Sequence, residues 1–465
     1  MAIKNDKRTI FGWAMYDWAN SAYITVFGAI IGAFFTGTIM PSYDVTLDGG
    51  QVVECGTELA DLAVPACEYW GVNGESLYSI LVGVASMLLM LTMPVLGAMA
   101  DYASAKRMYL RNFAFLGSIF VLATPFVPDG QVPLFLILVM VAQFGFVAAN
   151  VFYDGFLPEI TTDRTIDKVS SKGFAMGYLG GGLYLLLAVV LIVFSSDEPG
   201  ATLTESMASR IAIFGSGLWW IVFSLFSLVR LPADGAAPEE GMSFRDYAAI
   251  GFGRTLSTVR KLRAFPQLLL FIIAFIIYNS GTGTVIAVSG PYAEETLNLD
   301  VQTIAIGFLL VQFIAFFGAL MFGRLSDRIG PKPAVMLSLY VWIGIAVMAF
   351  FIPKGSDAGF LLLASIVGFV LGGVQALSRS LYGTMIPEEA SAEFFGFFSV
   401  FSKLSGIGPL VFGLIGAVSG SGRTAILSVA VFFIVGLVLL ARVDVEEARR
   451  SRERWHFEGA AAQAD

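Results

Sequence analysis

Twelve stretches of mostly apolar residues, each near the roughly 20 that a helix needs to cross a bilayer, fill this chain almost end to end. They cover residues 10–40, 77–100, 108–127, 132–153, 174–194, 211–229, 266–290, 304–322, 334–352, 360–381, 394–417 and 424–440. A backbone in hydrocarbon must satisfy its own hydrogen bonds, so segments of this length can only be spanning helices. The composition agrees: 57% hydrophobic residues, 14% charged and a mean hydropathy of +0.77 lie outside the range of a soluble globular domain. Span 1 is too long, and with Asp17 and Asn20 too polar, for a cleavable signal peptide, so it is read as retained.

Sidedness follows from the basic residues. Lys4, Lys7, Arg8, Lys106, Arg107, Arg111, Arg164, Lys168 and Lys172 fall on one side, with the bases of 230–263, Arg324, Arg328, Lys332 and those of 442–454. The opposite loops hold only Arg210, Lys354 and Arg423. Both termini are therefore expected in the cytoplasm, which requires an even number of spans; in a bacterium the membrane would be the inner one. Seven acids without a base occupy the first outer loop, best read as a solvated face. Cys55 and Cys67 lie there too. An oxidising outer compartment favours a disulfide between them, with two free thiols as the alternative.

The chain also repeats itself. GAMADYASAKR from Gly97 and GRLSDRIGPKP from Gly323 align Gly97 with Gly323, Asp101 with Asp327 and Lys106 with Lys332. YDGFLPEI and YGTMIPEE align Tyr153 with Tyr382 and Glu159 with Glu388 at nearly the same offset. The expected organisation is a six-helix bundle over 1–230, a cytoplasmic linker with interfacial helices over 231–265, a second bundle over 266–442 and a polar tail over 443–465. The fold class is all-α membrane protein, with 12 transmembrane helices in two pseudo-symmetric bundles. Polarity has a period of three spans. Spans 3, 6, 9 and 12 carry no charged or amide side chain inside, while spans 1, 4, 7 and 10 carry Asp17, Asn20, Gln143, Asn150, Asn279, Gln375 and Arg379. Such side chains face a bundle interior or a wet cavity, so a polar crevice between the halves is expected. Duplicated halves around a midplane site are the build of solute carriers.

The duplicated loop, the six-plus-six spans and the cytoplasmic termini resemble the major facilitator superfamily. More narrowly, YDWANSAY (Tyr16 to Tyr23), LPEI, SSKGFAMGYLGGG (Ser170 to Gly182) and GGVQALSRSLYG (Gly372 to Gly383) are similar to the autophagy-related vacuolar amino-acid effluxers and their bacterial relatives. The resemblance implies the major facilitator fold and export of an amino acid or similar solute. It leads one to expect an acid in span 7, where this chain has YNSGTGTVI, so no proton-carrying role is assigned there.

The candidate cavity or coupling residues are Asp17, Asn20, Gln143, Asn150, Tyr153, Asp154, Tyr278, Asn279, Gln375, Arg379 and Lys403. Asp17 is expected as a coupling carboxylate or half of an inner gate. Arg379 is expected either to pair with Asp17 when the inner mouth closes or to bind a substrate carboxylate with its planar fork. Lys403 needs a carboxylate or carbonyl partner, Asp17 or substrate. Asp154 is left open as a proton carrier, and Glu159 is read as loop structure. Gly97, Asp101, Lys106, Arg107, Gly323, Asp327, Arg328 and Lys332 are expected to form the gating loops.

No lysine follows a glycine, which excludes a phosphate loop, and the only histidine, His456, is in the tail. No enzyme activity, cofactor, metal or nucleic-acid partner is expected. The function expected is a secondary carrier, monomeric, moving a small polar solute by alternating access, with protons or without. A non-transporting receptor or scaffold is the alternative.

Overall fold

The computed structural model describes residues 3–42, 44–46, 52–54, 68–69, 72–196, 198, 202–235 and 244–454. Eleven of its helices are long and apolar enough to cross a membrane. In chain order they are span 1 (Lys7–Ile39), span 3 (Lys106–Phe126), span 4 (Val132–Ile160), span 5 (Ile166–Val193), span 6 (Glu205–Leu228) and span 7 (Pro266–Thr296). Span 8 (Val301–Ile329), span 9 (Pro331–Phe351), span 10 (Asp357–Met385), span 11 (Glu388–Ser419) and span 12 (Gly422–Ala441) follow. Span 2, Gly74–Tyr102, makes the twelfth: its 29 residues reach about 43 Å at ~1.5 Å per residue. The all-α expectation holds apart from two antiparallel ribbons in the first outer loop, Asp44–Thr46 with Val52–Glu54 and Glu68–Tyr69 with Val72–Asn73. Cys55, Cys67 and His456 lie outside the described residues.

The spans start where polar side chains satisfy the first free N–H groups. Asp6 accepts from the Thr9 N–H at 2.8 Å, and that bond with the Thr9 hydroxyl holds its carboxyl below the usual range. Asp300 accepts from the Thr303 N–H at 2.6 Å, and Thr204 from that of Met207 at 3.2 Å. Asp234 caps span 3 from a distance, accepting from the Arg107 and Met108 N–H groups at 2.8 and 3.0 Å.

Two apolar cores form. One runs from Trp13 to Leu231, the other from Leu262 to Ala448. They interlock: Ala392 of span 11 belongs to the first, and Tyr178 of span 5 packs on the second. Large apolar side chains stand exposed along span 6 (Ile211, Leu218, Val222, Leu225) and span 12 (Val431, Ile434, Val438), as lipid-facing helices require. Spans 1 and 7 match in a detail the sequence did not signal. Both wind into π-helical turns at the end away from the termini, at Phe27–Ile31 and Phe35–Ile39 in one and Tyr292–Thr296 in the other. Span 11 is broken: helix Ser391–Leu404 ends, and helix Ile407–Ser419 restarts after Gly406.

Between the halves, Phe244–Lys261 forms a helix against span 2. The fit is tight, since a Cβ on Gly251 would lie 2.7 Å from the Met99 side chain. Phe252, Leu256 and Val259 stand exposed on it as one apolar stripe. The polar tail forms a short helix, Val445–Arg452, and Arg452 bonds Asp163 of the other half at 2.8 Å.

Candidate functional site

A buried ionic knot joins the halves. Arg379 on span 10 is 4% exposed and points across to the first half. Its Nη1 donates to Asp154 at 2.9 Å and lies 3.6 Å from Asp17. Its Nε and Nη2 donate to the hydroxyl and carbonyl of Ser170, both at 3.0 Å. Aromatic faces enclose the guanidinium, with Phe174 at 4.2 Å and Trp13 at 4.9 Å from its carbon. The Tyr153 hydroxyl donates to Asp17 at 2.9 Å, and the Trp13 indole to the Tyr153 carbonyl at 2.8 Å. Gly173 makes room: a Cβ there would sit 2.7 Å from Trp13, 2.8 Å from the Tyr153 hydroxyl and 3.0 Å from the guanidinium. One cation thus serves two carboxylates, with flat donors on flat acceptors and rings, which suits arginine and not lysine.

The other predicted polar residues divide between two settings. Asn20 donates to Asn150 at 2.7 Å, and Tyr23 to Gln143 at 3.2 Å, joining spans 1 and 4. Tyr278 shares a hydrogen bond with Ser378 at 2.7 Å, joining spans 7 and 10. Gln143 and Tyr278 are buried, so these contacts sit inside their own halves. Asn279 donates to Ser405 at 3.0 Å, at the break in span 11. Gln375 accepts from Tyr178 at 2.5 Å, across the halves. Asn150, Asp154 and Lys403 line one cavity of about 200 Å³ between spans 4 and 11.

The duplicated loops differ in surroundings. Asp101 has a fully covered side chain and accepts from the backbone N–H groups of Ala392 and Glu393, at 3.3 and 2.8 Å. It therefore caps span 11 of the opposite half. Lys106 pairs with Asp101 at 2.9 Å, pairs with Glu159 and donates to Ser391 at 2.7 Å. Asp327 forms an exposed pair with Lys168 at 3.4 Å, and Lys332 donates to the Ala441 and Val443 carbonyls of its own half at 2.8 Å. Arg107 contributes its backbone, and Arg328 is exposed. The two glycines keep matched roles. A Cβ on Gly97 would lie 2.3 Å from the Ala392 carbonyl, and one on Gly323 2.6 Å from Ser171, each at a crossing between halves.

Sequence reasoning missed Ser170 as a ligand of the arginine, and also Trp13, Ser391 and Glu393. Glu393 is fully buried beside Arg254 of the linker helix at 3.6 Å. Ser170 lay within a quoted phrase, but an uncharged serine gives no warning that its carbonyl and hydroxyl serve a cation.

Twelve spanning helices among the described residues, in two bundles that interlock and are tied together by polar contacts, define a membrane transporter of the major facilitator type. The proton:xylose symporter XylE, solved with 6-bromo-6-deoxy-D-glucose, shares this fold with a TM-score of 0.67 at 14% identity, over 95% of this chain and 98% of that one. The chain itself belongs to the family described as Vacuole effluxer Atg22 like, which matches residues 5–453. An uncharacterized MFS-type transporter of Bacillus subtilis (strain 168), YxiO, is 28% identical over 436 residues, covering 93% of this chain and 94% of that protein. Autophagy-related protein 22 of Cryptococcus neoformans var. neoformans serotype D (strain B-3501A) is 29% identical over 310 residues. This chain matches 55% of that fungal protein's length.

Proposed function

We propose that the chain is a secondary carrier that moves a small polar solute by rocking its two bundles, and that this structure is the state closed at the basic, terminus-bearing end. One observation carries the reading. Among the described residues, the hydrogen bonds and ion pairs that join the halves run from mid-depth to that end: Gln375 with Tyr178, Arg379 with Asp154, Asp101 with Glu393, Lys4 with Glu388, Arg452 with Asp163. Opening that end must break them, and contacts of this kind are bistable. The positive-inside pattern supports a cytoplasmic location for this end.

The family description supports efflux, and the family resemblance supports an amino acid or similar solute. Proton coupling is the companion proposal. Two carboxylates share one guanidinium, so the knot holds one surplus negative charge within the spans, which a proton on Asp17 or Asp154 would cancel. The test is counterflow of amino acids and short peptides in proteoliposomes holding the purified protein as a monomer, with and without a pH step. Flux that exceeds empty liposomes and responds to the pH step supports both parts. Flux indifferent to pH removes the proton, and no flux of any solute removes the carrier reading.

A further inference from the structure

We infer that the cavity between spans 4 and 11 is a carboxylate-binding subsite, with the Lys403 ammonium as its anchor. The inference rests on the carrier reading only for its physiological role; the binding site stands or falls by itself. The cavity is about 200 Å³, room for six or seven waters at ~30 Å³ each, or for one small organic solute. Phe146, Phe395 and Phe398 give it an apolar wall, and Asn150, Asp154, Ser399, Ser402 and Lys403 a polar one.

The polar groups are not equivalent. Asp154 already holds Arg379, Asn150 holds Asn20 and the Phe146 carbonyl, and Ser402 donates to the Phe398 carbonyl at 3.0 Å. Lys403 differs. Among the described residues its ammonium has no hydrogen bond, and no carboxylate comes within the 4 Å of an ion pair. A cation within a membrane span ordinarily has a partner.

The local fold explains how the charge is tolerated without one. Lys403 sits in the last turn of helix Ser391–Leu404, where the break at Ser405 and Gly406 leaves carbonyl oxygens at a helix C-terminus. That end carries partial negative charge, which favours a lysine. The helix end supports the ammonium, but the one carboxylate lining the cavity, Asp154, is engaged by Arg379 and forms no ion pair with Lys403, so the ammonium still lacks an acceptor of full charge. A carboxylate supplies one, with Ser399 beside it to donate and the phenyl rings beside the solute's carbon body.

Span 11 also carries this group at its hinge. The Ser405 hydroxyl takes the Asn279 amide at 3.0 Å and donates to the Ile276 carbonyl at 3.2 Å, which ties the break to span 7. The half of span 11 bearing Lys403 begins at Ser391 and Glu393, where Asp101 of the other bundle grips it. A solute on Lys403 therefore loads the same half-helix that the basic-end contacts hold.

The experiment uses purified full-length protein in detergent, with thermal shift and calorimetry against paired probes. The pairs are propionate and propionamide, L-alanine and L-alaninamide, L-leucine and L-leucinamide. Wild type is expected to bind at least one carboxylate at least tenfold more tightly than its amide. Lys403→Met should weaken that binding at least tenfold, while its unliganded melting temperature equals or exceeds that of wild type, because no partner is lost. Lys403→Arg should recover most of the binding, which a merely structural lysine would not produce. Binding unchanged in Lys403→Met, equal binding of acid and amide, or no binding of any of the three acids overturns the assignment. Counterflow on the same preparations separates the two proposals. Lysine-dependent binding without flux removes the carrier reading and keeps the subsite; flux undiminished in Lys403→Met does the reverse.

Discussion

Arg379 concentrates the chemistry of this protein in one side chain, and its variants test the knot directly. Removing one partner of a buried ion pair costs on the order of 3–5 kcal/mol, because the remaining charge stays buried without compensation. Arg379→Gln leaves both Asp154 and Asp17 in that position. A large fall in melting temperature and loss of counterflow are expected. Arg379→Lys should recover little, since one ammonium cannot reach the Ser170 hydroxyl, the Ser170 carbonyl and Asp154 in the planes the guanidinium uses. Activity of Arg379→Lys within twofold of wild type would contradict that geometry. The charge exchange Asp154→Arg with Arg379→Asp should restore stability partly and proton response poorly, because Ser170 and the rings fit only one orientation. Sequence alone identified Asp17, Asp154 and Arg379 as the residues to watch, since a charge inside a span has few bland explanations. It put Asp17 first as the arginine's partner, whereas Asp154 is nearer at 2.9 Å against 3.6 Å. Which of two carboxylates on neighbouring helices lies closer depends on helix rotation, which hydrophobic patterning does not resolve.

At the scale of elements, the linker helix is the least expected participant. Its basic and apolar faces point from sequence to the membrane surface, and the exposed stripe of Phe252, Leu256 and Val259 agrees. Its other face is an internal contact. Arg254 meets Glu393 at 3.6 Å, and the Glu393 side chain is fully covered. A carboxylate so placed costs free energy unless a cation stays beside it. Arg254→Ala should therefore lower the melting temperature, and adding Glu393→Gln should return most of the loss. Additive losses in that double-mutant cycle would show that the two do not interact. The twelve spans and their three-fold polarity period were readable because length and hydropathy are strong, local signals. The break in span 11 and the π turns of spans 1 and 7 were not. Glycine and proline are common in membrane helices, and whether one interrupts the helix depends on what the neighbouring span offers its freed backbone groups.

For the whole molecule, duplication predicts equivalence and the structure predicts inequality. Asp101 and Asp327 occupy the same place in the repeated phrase, yet one is buried across the bundle interface and the other forms an exposed pair. An exposed pair contributes about 0–1 kcal/mol. A covered carboxylate that accepts two backbone N–H bonds and one ammonium contributes more, and its loss leaves Lys106 with one carboxylate, Glu159, beside the Ser391 hydroxyl. Asp327→Asn should leave melting temperature and flux close to wild type, whereas Asp101→Asn should favour the state open at the basic end. The readout is alkylation of a single cysteine placed at Ser399, in protein whose Cys55 and Cys67 are serine. Reagent added from the basic side of oriented vesicles should label it several-fold faster in Asp101→Asn than in the parent, with Asp327→Asn unchanged. On the proposed rocking of the bundles, Asp101 and not Asp327 holds the basic end closed. In the opposite state the crossing of spans 5 and 8, where Gly323 lies against Ser171, would still have to move. Equal acceleration by both aspartate variants would mean that the two loops share the work of closure, and that the contrast between them belongs to this state alone and not to the protein's energetics.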